Sequence, residues 1–330
     1  MRPIRQTRQL DTADADGVSA AESLLAAGDL TIGGAFASGG VATLDAQRQV
    51  LLTSGENLSA VTFTITGTDE QGRVITEDVT GPNAGTAVSV LDYMTVTQIA
   101  ASAAFGVVAT GVLTLAANAV ADETVTIGTQ VYTWKAAPSA ANEVDIGGSA
   151  SVSIDNLIAA INNDAGEGTL YGTGTTANTD ASAAAGAGDT MDLTSLIAGT
   201  AGNAVATTET MTQGSFGAVV LENGSDALTV GTNGVGGSIP IPIDQYQSPT
   251  NIGIGLDITG TVNVDVEHTF DDVFDGNASA IRTWYDHDTL AAETADVDGN
   301  YAFPPTAIRL RTNSGDGTCV MSVIQSGAIG

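Results

Sequence analysis

From Val61 to Thr66 every second residue is apolar, with Val61, Phe63 and Ile65 separated by Thr62, Thr64 and Thr66. A period of two spreads an apolar set around a helix but gathers it on one face of a strand, so this segment is a half-buried strand. Gly67-Thr68-Asp69-Glu70-Gln71-Gly72 reads as a turn, and Arg73 to Thr80 as the returning strand of a hairpin. Related short runs occur at 29–32, 50–53, 88–91 and 95–99, then at 112–115, 124–127, 131–134 and 218–221. They recur at 252–258, 261–268, 307–311 and 318–324. Forty glycines, eight prolines and abundant Thr and Val supply the turns and strands such a chain needs. The fold expected is mainly β, with several β-sandwich or β-barrel-like modules and one or two short packing helices.

Two segments carry helical signals. Ile154, Leu157, Ile158 and Ile161 form an i, i+3, i+4, i+7 stripe, with Ser153 as the expected cap of a helix over 153–163. Ser19-Ala20-Ala21-Glu22 has capping-box spacing, Leu24 and Leu25 follow, and Gly28 is placed to end a second helix. Both stripes read as core-packing faces.

Changes in texture suggest four segments. Residues 1–20 form an N-terminal arm. Residues 21–106, a small core alone, are completed by 223–237, where the strand-like 226–230 returns. Residues 107–222, with their own strands and helix, are an inserted β-rich domain. Residues 238–330 are a C-terminal β-sandwich-like domain. The Gly-, Ala- and Thr-rich stretch 172–190 reads as a long surface loop, and 231–238 as a linker.

Charge narrows the function. Nine cations against 38 acids give a net charge of −29, with Lys135 the sole lysine. A nucleic-acid groove needs phosphate-neutralising cations, and an anionic membrane would repel such a surface, so neither is an expected partner. The longest apolar stretches are too short to span a bilayer. Met1–Leu10 lacks the apolar segment of a secretory signal. Cys319 is the single cysteine and cannot form an intrachain disulfide.

Few residues suggest chemistry. Arg2, Arg5 and Arg8 concentrate positive charge at the N-terminus, either as a peptide that docks on an acidic partner surface or as a frayed end offsetting Asp11, Asp14 and Asp16. His268 and His287 lie among carboxylates, but His268 continues the face of Val262, Val264 and Val266, which reads as the end of a core face. The runs Asp271–Asn277 and Asp296–Asn300 resemble Ca²⁺ loops only in composition, and Asx turns account for both. Gly231–Gly237 lacks the Lys-Ser/Thr ending of a phosphate cradle. Trp134 and Trp284 read as core anchors, with Trp284 and Tyr285 alternatively a subunit contact. No Gly-x-Ser-x-Gly or second thiol occurs, so catalytic, metal and cofactor sites are all expected to be none.

Thr62–Asp69, Gly72, Thr76-Glu77 and Gly81-Pro82-Asn83-Ala84-Gly85 together resemble a segment of tailed-bacteriophage virion structural proteins. Val125–Gly128, Tyr132-Thr133, Ile146-Gly147, Asp155–Ile161 and Ala198–Ala204 resemble a second module of such virions. Val264–Val273, Asp298–Pro304, Ala307–Leu310 and Val323–Gln325 are similar to their small β domains. The resemblance implies a non-enzymatic structural protein, assembled in the host cytoplasm. Because a −29 subunit is repelled by packaged DNA, the outer capsid surface is the expected location. The expected role is a decoration (cement) protein that stabilises the head. Its implied partners are the major capsid protein and copies of itself, the trimer being a frequent state of such proteins. A tail or neck component is the alternative, and a host-surface or glycan-binding adhesin the second. An adhesin would need an exposed aromatic platform, for which 5% aromatics is a thin supply.

Overall fold

A computed structural model describes residues 4–246, 248 and 250–325. The chain is mainly β, arranged in several largely antiparallel sheets. It divides into two compact units: Met1–Ala21, Ala27–Ser102 and Leu228–Gly330 form one, and Glu22–Ala26 with Ala103–Ala227 the other.

The first unit contains an eight-stranded sheet. Its main path runs Asp14–Glu22, Leu228–Thr232, Val41–Asn57, Asn83–Ala101, Thr62–Thr68, Val74–Thr80. The hairpin read from sequence occupies its edge, with Phe63 facing Val79 and Ile65 facing Glu77. Phe63 and Ile65 are fully buried, as the alternation requires. Gly67 stands where the pairing with Asn83–Ala101 shifts register. A Cβ there would overlap the Thr95 carbonyl and crowd the Tyr93 ring, so the bulge requires glycine.

A two-sheet sandwich completes this unit. One sheet orders Ile4–Gln9, Thr318–Gln325, Ile252–Thr259, Val297–Tyr301; the other orders Gly236–Gly237, Ala307–Gly315, Val262–Thr269, Tyr285–Asp286. Ile252, Ile254, Met321 and Val323 from the first meet Val264, Val266, Ile308 and Leu310 from the second in one core.

The N-terminus therefore departs from expectation. Residues 4–9 are not an arm but an edge strand, with Ile4 opposite Val323 and Arg8 opposite Cys319. Leu10 behind it is fully buried. The supposed helix at 19–28 is replaced by the strand Asp14–Glu22, because Val18 is buried in the sheet and pairing overrides alanine's helix preference. The 231–238 linker is likewise structured: Leu228–Thr232 pairs with Val41–Asn57, and Gly236-Gly237 pairs with Arg311-Thr312. Hence 238–330 is not a separate compact unit.

The second unit packs the helix Ala150–Asn162 with two four-stranded sheets around a core holding Trp134, Tyr132, Leu157 and Leu193. Ser149, not Ser153, caps the helix, its side chain accepting from the Val152 N–H at 3.3 Å. Ser153 is buried inside the helix and donates to the Ile146 carbonyl. Part of the expected loop 172–190 is the strand Ala181–Ala185, paired with Thr190–Ser195. Ala181 and Ala183 bury an alanine face too small to register as a hydrophobic stripe. Conversely, 218–221 is no strand; the region makes isolated bridges through Val220 and Glu222.

Candidate functional site

Alternation along two strands of the sandwich builds a charged recess in the first unit. In Ala307–Gly315, Ile308 and Leu310 enter the core, which turns Arg309 and Arg311 to the other face. In Val262–Thr269, Val264 and Val266 do the same and put Glu267 beside those arginines. Arg309 Nε donates to Glu267 Oε2 at 2.6 Å, and Nη1 donates to Asp92 Oδ2 at 3.4 Å. Its guanidinium lies 4.1 Å from the centre of the Trp284 ring.

Asp92 comes from the long strand Asn83–Ala101 and also accepts from the Gly237 N–H at 3.1 Å. Burial pushes its carboxyl above the ordinary range, and Arg309 acts against that shift. Asp92 Oδ1 is buried with no hydrogen-bond partner.

The recess encloses about 360 Å³ and is also lined by Arg73, Arg282 and Arg311. Arg73 and Arg282 are each held at 2.7 Å by a carboxylate, of Asp69 and Asp275 respectively. Arg311 lies 3.8 Å from Glu267. Every guanidinium in the wall thus faces a carboxylate of the same chain, and the arrangement acts as an ionic latch between the eight-stranded sheet and the sandwich. Such a network needs complete pairing, because a buried charge that loses its partner is costly. Ser238 does not serve as a free nucleophile here: its hydroxyl donates to Gln6 Oε1 at 2.6 Å and accepts from Leu310 N–H at 3.0 Å.

The core face of Val262–Thr269 continues past Val266 to His268, and beyond the strand to Phe270. There the sandwich core opens to solvent on an aromatic surface. His268 is buried, with the Phe270, Tyr285 and Phe303 rings centred 5.4, 5.6 and 5.5 Å from it. Tyr301 lies beneath, its hydroxyl 3.1 Å from His268 Nδ1 and its ring 4.5 Å from that of His287. Phe270, Tyr285 and Phe303 remain 57%, 50% and 43% exposed. Burial, and then the neighbouring His287, hold the His268 imidazole below its usual range.

Trp284 and Tyr285, read together as a subunit contact, are consequently separated: Trp284 lines the arginine recess while Tyr285 joins the aromatic surface. Of the N-terminal arginines, Arg2 lies outside the described residues. Arg5 is exposed and donates to Ser322 Oγ at 3.3 Å. Arg8 is only 3% exposed and donates to the Gln47 carbonyl, so it cannot serve as a free docking cation. Its reach inward is permitted by Gly236, where a Cβ would meet the guanidinium.

The first acidic loop is Asx-turned: Asp272 and Asp275 accept from the N–H groups of Phe274 and Asn277, both at 2.9 Å. The second departs from that expectation: Val297–Tyr301 is a strand, and Asp296 accepts from the distant Ile258 N–H at 2.8 Å. Among the described residues, no group of three or more His, Cys, Asp or Glu is arranged to hold a metal.

The sequence reading missed the latch made by Asp92, Glu267 and Arg309. Its signal was the alternation Ile308-Arg309-Leu310-Arg311, which places two cations on one face of a strand otherwise devoted to core. No family model, curated protein or solved structure matches the chain.

Proposed function

We propose that the chain is a non-enzymatic structural protein of a tailed-bacteriophage virion, acting as a decoration protein on the outer capsid surface. The observation that carries this reading is the disposition of the cations. Arg8, Arg48, Arg73, Lys135, Arg282, Arg309 and Arg311 all face carboxylates of the same chain within 4.0 Å. Little positive charge is left to meet packaged DNA, and the surplus acid suits an outward-facing subunit that stays soluble before assembly. The phage-like motifs described above and the mainly β architecture agree with this role. The partners are then the major capsid protein and further copies of the chain.

Mixing purified protein with undecorated, expanded capsids and following co-sedimentation tests the proposal. Saturable binding with a gain in shell heat resistance is the expected result. Failure to bind, with rings or tubes forming on concentration, would move the protein to the tail. The exposed rings of Phe270, Tyr285 and Phe303 favour one other reading, the glycan-binding adhesin, since they form the aromatic platform which that role requires. Binding of neutral oligosaccharides, lost on removing those rings, would establish it.

A further inference from the structure

We propose that the aromatic surface formed by Phe270, Tyr285 and Phe303 is a docking site for a basic side chain, a Lys ammonium or Arg guanidinium, carried by a partner polypeptide. Contiguity is the first reason. Phe270 lies 6.1 Å from Tyr285 and 6.0 Å from Phe303, centre to centre, so the three half-exposed rings make one patch. Exposed aromatic groups of this kind mark interaction surfaces, and their π faces attract cations.

Charge complementarity selects the occupant. Asp286 and Asp288 lie close enough to act electrostatically on both His268 and Tyr301 at the floor of the patch. Both carboxylates belong to exposed residues. Among the described residues no Lys or Arg is stacked on any of the three rings; the one cation–π pair there is Arg309 with Trp284. The floor itself is preorganised, because Tyr301 fixes the His268 ring and the neutral imidazole adds no opposing charge near pH 7. A partner's ammonium or guanidinium would place its charge over the rings and its N–H groups toward the carboxylates. This holds whichever assembly supplies the partner, so its failure would leave the capsid proposal standing.

The test measures binding of the full-length protein to a labelled peptide, acetyl-Gly-Arg-Gly-Lys-Gly-amide, by fluorescence anisotropy. The same peptide with Gln at both basic positions is the comparison. The variants Tyr285→Ala and Phe303→Ala alter exposed rings, and unchanged thermal midpoints verify their folding. Each is expected to weaken binding of the basic peptide by about 3- to 30-fold. The pair Asp286→Asn and Asp288→Asn should weaken it more than Asp16→Asn with Asp257→Asn, which removes equal charge from exposed positions elsewhere. Equal loss in the two charge pairs, with no effect of the ring variants, would reduce the interaction to general attraction by a −29 protein and overturn the site. Equal affinity for the Gln peptide would overturn the cation.

Discussion

Arg48 is fully buried, yet both terminal nitrogens of its guanidinium are provided for: Nη2 donates to the Asp11 carbonyl at 2.7 Å and to Asp45 Oδ2 at 3.0 Å, and Nη1 to Thr232 Oγ1 at 3.1 Å, leaving Nε alone without a partner. Desolvation lowers its pKa and Asp45 pulls it back, which is the balance that makes a buried cation tolerable. Arg48→Ala would take the donors from the Asp11 carbonyl and Thr232 Oγ1 around a cavity, and would take the cation from Asp45, which would still accept from the Asp11 N–H. The expected cost is about 3–5 kcal/mol, read as a fall in the urea midpoint. His268 makes a second residue-scale prediction. Its folded pKa lies below the ordinary 6.5, chiefly through burial, so the unfolded chain binds the proton more readily. Its contribution is therefore present above about pH 6.5 and is lost as pH falls toward the folded pKa. Thermal midpoints measured from pH 8 to pH 5 should drop more steeply for the native protein than for His268→Phe. Parallel curves would show that His268 is not the titrating group.

Among the elements, Gly67 and the N-terminal strand show opposite kinds of legibility. Gly67→Ala should destabilise the protein by about 1–3 kcal/mol in a denaturant titration, because the new Cβ meets the Thr95 carbonyl, a backbone atom that cannot rotate away. The surrounding hairpin was readable because Phe63 and Ile65 alternate with exposed-tolerant threonines, whereas the bulge depended on a partner strand some thirty residues away. Ile4–Gln9 was unreadable for a different reason. Its inward group at position 8 is an arginine, held by the Gln47 carbonyl, so no apolar period marks the strand. Removing residues 1–10 would expose the Thr318–Gln325 edge and vacate the site of Leu10, and a lowered thermal midpoint is expected. Loss of capsid binding in that truncation would thus report damage to the sandwich, while Arg5→Ser tests docking by the one exposed, described N-terminal arginine. The helix Ala150–Asn162 was legible from its stripe, but its cap was not, since Ser149 and Ser153 both offer a hydroxyl at a plausible boundary. Neither the latch nor the aromatic surface could be read as a site. Each joins residues far apart in sequence, and strand pairing alone brings Glu267 to Arg309 and His268 to Tyr285.

For the whole molecule, two electrostatic effects oppose each other and their balance can be measured. Among the described residues seven cations are held in ion pairs, some of them well buried, while a net charge of −29 makes the folded state repel itself. Added salt acts on these unequally. The Debye length shrinks from about 30 Å at 0.01 M to about 3 Å at 1 M, which removes repulsion between exposed carboxylates spread over the surface. The pairs around Arg48 and Arg309 are close and shielded from solvent, so they are screened much less. The thermal midpoint should accordingly rise between 0.01 M and 0.5 M sodium chloride. In Arg48→Ala and Arg309→Ala it should rise by at least as much, since each variant removes a cation and deepens the net negative charge. A midpoint that falls with salt in the native protein would mean that ion pairs outweigh surface repulsion. The cations would then have to be counted as the main support of the fold, and the excess acid as nearly neutral to it.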